Sequence, residues 1–171
     1  MRSIRSRLAP LVVFSVALLA GVVVRAEDDP ARAVRWTWTL EPANAAPGSA
    51  AELVITAALA EHWVVYSSDF KAELGPQPVR LVAPKDAPPT LLAGPLRSID
   101  AHRKHDKNFD VDVGYFTGRA ELRQRVQLPA DGTPLVATLR GQACNEADGT
   151  CHLLRETIRL PNAPADGSAK P

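Results

Sequence analysis

From residue 34 onward the chain is built of short runs in which apolar and polar residues alternate, and a period of two is the pattern of a strand with one buried face. Val34, Trp36, Trp38 and Leu40 alternate with Arg35, Thr37 and Thr39. Further β-type runs cover 52–59, 63–66, 79–82, 120–128, 135–140 and 152–160, which gives about seven strands. Between them lie stretches rich in proline and glycine, such as 41–49, 83–90 and 129–134, where the chain reverses. Short strands with no convincing helix predict an all-β, antiparallel sandwich, because a sheet with one apolar face buries it most simply against a second sheet.

Segment 92–112 breaks the alternation. It carries Arg97, His102, Arg103, Lys104, His105 and Lys107 among several aspartates. Without strand periodicity it reads as a long loop, a kind of segment more often functional than idle. The tail, 161–171, is rich in Pro, Ala, Gly and Ser and is expected to be disordered.

Ahead of the strands, Arg2, Arg5 and Arg7 precede an apolar run from Leu11 to Val24 and a small-residue ending at Ala26. That is the layout of a secretory signal peptide over 1–26. The apolar run is shorter than the roughly 20 residues a membrane-spanning helix needs, and none like it follows, so no membrane span is expected after signal cleavage. An uncleaved anchor is the alternative. Removing 1–26 from the 171 residues leaves 145, enough for one ordinary domain, expected over 27–160. It also takes the 20 basic residues to 16 against 19 acidic ones. Such a balance argues against nucleic-acid binding and against strong attraction to anionic lipid.

Cys144 and Cys151 are the two cysteines, and in an exported chain they are expected to pair. A domain of this size does not need a staple to fold, so the bond calls for another reason, with a purely structural bridge as the alternative. Asn145, Asp148 and Gly149 between them are turn residues, which predicts a hairpin. Facing Cα atoms in such a hairpin lie about 4.5 Å apart, within the span of a disulfide. By parity Cys144 shares a face with Gln142, Arg140 and Thr138, and Cys151 with Arg155, Thr157 and Arg159, Leu153 being the exception. Both sulfurs are therefore expected on the polar side of the sheet, accessible to exchange. The spacing is neither CxxC nor CxxCH, and two cysteines without a second pair make a weak zinc site. Met1 is the only methionine, which weakens copper carriage through Cys144, Cys151 and His152. No metal or cofactor is expected. His152 is read either as a modulator of the neighbouring thiol or as an ordinary packed side chain.

Taken in order, these residues resemble the N-terminal periplasmic domain of the thiol:disulfide interchange protein DsbD, over about 36–160. The resemblance is carried by Gln142-Ala143-Cys144-Asn145, by Trp36-Thr37-Trp38, by the strand His62 to Ser67, by Gly75-Pro76-Gln77-Pro78, and by Asn108-Phe109-Asp110 followed by Gly114-Tyr115-Phe116. It implies an immunoglobulin-like sandwich in the periplasm that relays reducing equivalents through a reversible Cys144–Cys151 disulfide. Cys151 would form the mixed disulfide with a partner and Cys144 would resolve it. Phe109 would belong to a cap loop shielding the sulfurs, and Tyr66 would line the site in a supporting role. The implied partners are a thioredoxin-like or membrane-embedded thiol-disulfide electron donor and periplasmic thiol protein acceptors, including those of cytochrome c biogenesis. Some positions depart from the family: the turn between the cysteines holds six residues, one more than in its best-known member. Lys107 and Asn108 stand where acidic residues flank the cap phenylalanine, and Trp63 or Val64 replaces active-site tyrosines. No membrane or thioredoxin-like domain follows in the sequence, so a separate donor is expected. The competing expectation is a non-enzymatic immunoglobulin-like binding module with a structural disulfide, since this fold hosts many unrelated functions.

Overall fold

The structure, a computed structural model, describes residues 30–71, 75–88, 91–106 and 110–162. The predicted signal peptide and all but the first two residues of the predicted tail lie outside the described residues.

After one helical turn, α1 (Pro30–Ala33), ten strands follow among the described residues. They are β1 (Val34–Glu41), β2 (Ala50–Leu59), β3 (Trp63–Tyr66), β4 (Arg80–Val82), β5 (Leu92–Ile99), β6 (His102–Asp106), β7 (Val111–Thr117), β8 (Arg119–Gln127), β9 (Leu135–Asn145) and β10 (Cys151–Leu160). One sheet runs β1-β2-β8-β5, and the other β10-β9-β3-β7-β6, with β4 also pairing on β9. All the strand pairs are antiparallel, and the two sheets form an immunoglobulin-like β-sandwich.

Alternation explains which face of each strand is buried. Leu53, Ile55 and Ala57 of β2 meet Ala120, Leu122 and Val126 of β8, and opposite them lie Trp63 and Val65 of β3 and Leu135, Leu139 and Ala143 of β9. The outward parity of the first sheet is polar. Thr37 and Thr56 hydroxyls lie 2.7 Å apart, and Arg123 donates to Glu41, Glu52 and Glu121 at 2.8, 3.0 and 2.8 Å. The buried Gln124 breaks the apolar pattern of β8, and its carboxamide donates to the carbonyls of Ala93 and Gly94 at 3.1 Å. Those carbonyls are free because β5 shifts register between Ala93 and Arg97. Beyond β10, Asn162 is buried and donates to the carbonyls of Pro129 and Thr133.

Segment 92–112 is not the loop that the sequence predicts: β5, β6 and the start of β7 occupy it. β5 and β6 each close one edge of a sheet. Edge strands bury little and are protected by charge and irregular register, so they lack apolar alternation. His102, Arg103, Lys104, His105 and Asp106 make up the whole of β6. Its hairpin with β7 is held by His105, whose Nδ1 lies 2.9 Å from Asp112 Oδ1 and Nε2 3.1 Å from Asp110 Oδ1.

Two glycines permit close approach of the backbone. A Cβ on Gly141 would lie 2.7 Å from Val79 Cγ1, and one on Gly114 only 2.0 Å from Ser67 Oγ and 2.9 Å from Asp69 Oδ1. Gly114→Val is therefore expected to cost about 1–3 kcal/mol, the range for overpacking. Leu153→Ser, at a position 71% exposed, is expected to stay within about 0.5 kcal/mol of wild type. Urea denaturation compares the two, and equal losses would refute the close-approach argument. Hydrogen bonding to Asp112, helped by Asp110 and opposed by some desolvation, raises the His105 pKa above its ordinary 6.5. The charged hairpin contact is thus fully present below the unfolded value and is lost as pH rises through the raised folded value. In Asp112→Asn the His105 titration followed by NMR is expected to move to lower pH; an unmoved midpoint contradicts the assignment.

Candidate functional site

β9 and β10 pair without interruption from Leu135–Leu160 to Cys144–Cys151, so the cysteines close the hairpin next to its turn. Within the turn, Asn145 Oδ1 accepts from the Ala147 N–H at 2.9 Å and Asp148 Oδ1 from the Thr150 N–H at 2.8 Å. Gly149, at φ 77°, donates its N–H to the Asn145 carbonyl, a conformation that suits glycine. The Thr150 backbone N–H holds the Asp148 carboxyl below its usual range. The Asn145 N–H donates to the Thr150 carbonyl at 2.8 Å, which leaves Cys144 and Cys151 as the next, non-hydrogen-bonded pair, the kind whose side chains lie closest. Their Cα atoms are 4.0 Å apart and the sulfurs are bonded.

The two sulfurs have different surroundings. Both leave the sheet on its outer face, as parity predicts, but that face is not uniformly polar. Val64, Tyr66, Phe70 and Val113 form a second apolar cluster there, and Cys144 is part of it, only 6% exposed. Cys151 is exposed. The expectation that both sulfurs are accessible is thus corrected for Cys144. The cause is position in the sheet: β9 is paired on both edges, with Val64 of β3 opposite Cys144, whereas β10 is an edge strand.

Polar groups frame the pair. Gln142 Nε2 donates to Cys144 Sγ at 3.4 Å, and Gln142 Oε1 accepts from the Gln77 N–H at 3.0 Å. Because only the carboxamide oxygen can accept from an N–H, the second contact fixes the amide orientation and aims the NH2 at sulfur. Lys104 of β6 forms an ion pair with Glu146 of the turn, and its ammonium sits 4.5 Å from the centre of the Tyr115 ring. Burial opposes the Lys104 charge, but Glu146 more than offsets it and raises the pKa. The Glu146 N–H donates to the His62 carbonyl at 2.8 Å, so the turn is tied to both β6 and the β2–β3 corner. Burial pushes the Tyr66 hydroxyl pKa up, partly countered by Lys104, and the hydroxyl stays protonated at neutral pH.

Of the residues singled out from sequence, Cys144, Cys151 and Tyr66 lie on one face and Cys144 packs with Tyr66. Phe109 lies outside the described residues. His152 is on the opposite parity, its ring 5.8 Å from that of the buried Trp63, which is the packing reading and not the thiol-modulating one. Gln142 was legible as the same-face neighbour of Cys144, although its bond to sulfur was not. Lys104 and Val113 were hidden at the β6–β7 edge, where no periodicity marks them, and Phe70 follows β3 with no sequence signal. Among the described residues no group of three or more potential metal ligands occurs.

Among curated proteins, none matches this chain. Its fold is similar to a chain in the complex between the DsbD N-terminal and the PilB N-terminal domains from Neisseria meningitidis, at 15% identity and a TM-score of 0.51, over 76% of this chain and 84% of that one. The N. meningitidis DsbD N-terminal domain in the reduced form is 17% identical, with a TM-score of 0.49 over 74% of this chain and 84% of that one. For the N-terminal periplasmic domain of ScsB from Proteus mirabilis the values are 14% and 0.48, over 78% of this chain and 48% of that one. The family model described as thiol:disulfide interchange protein DsbD, N-terminal, matches residues 38–162. The stretch matched runs from β1 through both cysteines to the last described residue, and the chain belongs to the DsbD N-terminal domain family.

Proposed function

We propose that this chain is a periplasmic thiol-disulfide exchange protein, exported by a signal peptide over residues 1–26, that relays reducing equivalents through the Cys144–Cys151 disulfide. The observation that carries the reading is the asymmetry of the pair: one sulfur exposed on an edge strand, the other buried and hydrogen-bonded. A merely structural bridge needs no such difference. A complex of the DsbD N-terminal domain with the PilB N-terminal domain supports protein partners for this family.

In the reducing half-reaction a donor thiolate attacks Cys151 Sγ, the accessible sulfur. A mixed disulfide forms there, the Cys144–Cys151 bond breaks, and Cys144 leaves as a thiolate. The Gln142 N–H aimed at Cys144 Sγ stabilises that charge, and a better-stabilised leaving thiolate departs faster. The donor's second thiol then attacks its own half of the mixed disulfide and releases Cys151. Two electrons have passed to this chain, the donor is a disulfide, and protons end on Cys144 and Cys151. Passing the electrons on reverses the sequence, with Cys151 attacking an acceptor disulfide and Cys144 resolving the mixed disulfide. Tyr66 supports the site by packing beside Cys144 with its hydroxyl neutral.

Equilibration with defined thiol buffers tests the central claim. The disulfide is expected to have a reduction potential above about −300 mV, whereas inert structural bridges lie below it. A lower value leaves a stapled binding module as the better reading. Single substitutions test the division of labour. Cys144→Ser is expected to trap mixed disulfides through Cys151, and in Cys151→Ser the buried Cys144 thiol is expected to alkylate about tenfold more slowly than Cys151 in the other variant. Equal alkylation rates would contradict the assigned roles.

A further inference from the structure

Three arginines form one row across the face that carries the disulfide. Arg80 of β4 is directly opposite Arg140 of β9, and Arg140 is directly opposite Arg155 of β10. Like charges facing each other across strands destabilise a sheet. Four other arginines, Arg97, Arg103, Arg119 and Arg123, each pair with a carboxylate, and those that do not, such as Arg35 and Arg159, do not face another arginine directly across a strand pair. Among the described residues no carboxylate pairs with Arg80, Arg140 or Arg155, and the Arg140 Nε is buried without a hydrogen-bond partner. All three line one cleft of about 160 Å³, together with Gln77 and Leu153. Gln77 and Arg80 are shared with a larger cleft of about 610 Å³ whose wall includes Phe70 and Pro76.

Leu153 stands between this row and the disulfide. It is 71% exposed, the one large apolar side chain so exposed among the described residues. Along β10, Leu153 lies about 7 Å and Arg155 about 13 Å from Cys151, on the same face. An exposed sulfur, an apolar anchor and an uncompensated cationic row thus follow one another on an edge strand.

We propose that Leu153 and the Arg80–Arg140–Arg155 row form the docking surface for the partner thiol protein, a proposal that rests on the exchange reading above. The occupant is an acidic polypeptide segment of that partner with one apolar side chain, its carboxylates about 13 Å from the reacting sulfur. Carboxylates supply the missing counter-charge through charge-assisted, fork-like hydrogen bonds. The apolar anchor beside the arginines favours a polypeptide over a bare polyanion. The sequence as a whole, with 20 basic and 19 acidic residues, lacks the broad positive field that a membrane or nucleic acid requires.

The test measures binding to the oxidised protein of three probes: a cysteine-free, glutamate-rich peptide with one leucine, its glutamine counterpart, and inorganic phosphate. Wild type, Arg80→Gln/Arg155→Gln and Leu153→Ser are compared. The acidic peptide is expected to bind about tenfold more tightly than the glutamine peptide, with the preference falling as salt is raised. The double arginine variant loses that preference, and Leu153→Ser weakens the acidic peptide while leaving phosphate unchanged. Equal binding of the two peptides, or a preference retained by the arginine variant, overturns the surface. Phosphate binding as tight as the peptide, with no loss in Leu153→Ser, overturns the commitment to a polypeptide segment. Reduction by dithiothreitol, followed in the same proteins, is expected to proceed equally in all three. A disulfide that resists dithiothreitol overturns the exchange reading, and the peptide measurements still decide the surface.

Discussion

Pairing of β9 on both of its edges is the constraint on which the rest of the site depends. On one side β9 holds β10 in a ladder of ten residue pairs that ends at Cys144–Cys151; on the other it holds β3 and then β4. A single-residue slip in that register would send Cys144 into the sandwich core and Ala143 out. The same register aligns Val64 beside Cys144 and the three arginines in a row farther along. Gly141 belongs to this constraint too, because only the absence of a side chain lets Val79 approach β9 so closely.

The second sheet is unusual in burying apolar groups on both faces at one end. Its inner face packs the main core, and its outer face carries the smaller cluster of Val64, Tyr66, Phe70 and Val113 around Cys144. One sulfur therefore sits in an environment that disfavours charge, relieved by the Gln142 N–H, while the other sits at an open edge. The ion pair of Lys104 and Glu146 is partly exposed on both sides, and pairs of that kind contribute little to stability. Its effect is positional: it ties the cysteine turn to the β6–β7 hairpin.

Edge strands are a hazard that sheets manage with charge and irregularity. β6 meets it with an unbroken run of polar residues, and β5 with a register shift backed by the buried Gln124. β10 is different, since it exposes a sulfur and a leucine on the same edge. An immunoglobulin-like sandwich says nothing by itself about function. What distinguishes this one is the chemistry gathered on that edge and the cluster beside it.

From its residues alone the chain was legible as an antiparallel sandwich. Strands near β1, β2, β3, β4, β8, β9 and β10 were marked by alternation, and the hairpin and its disulfide by turn residues between two cysteines of like parity. These features are local, set by the two-residue period of a strand and by backbone preferences of Asn, Asp and Gly. β5 and β6 were illegible because edge strands have little to bury, and the start of β7, an interior strand between β3 and β6, was hidden by the charged stretch it continues. The burial of Cys144, the clamp from Lys104, the contact between Gln142 and sulfur, and the turning of His152 toward Trp63 were decided by tertiary structure. Sequence parity says which face a side chain leaves by, but whether that face is covered depends on which strands lie beside it and what crosses above. Those are contacts between residues far apart in the chain, and no local pattern encodes them.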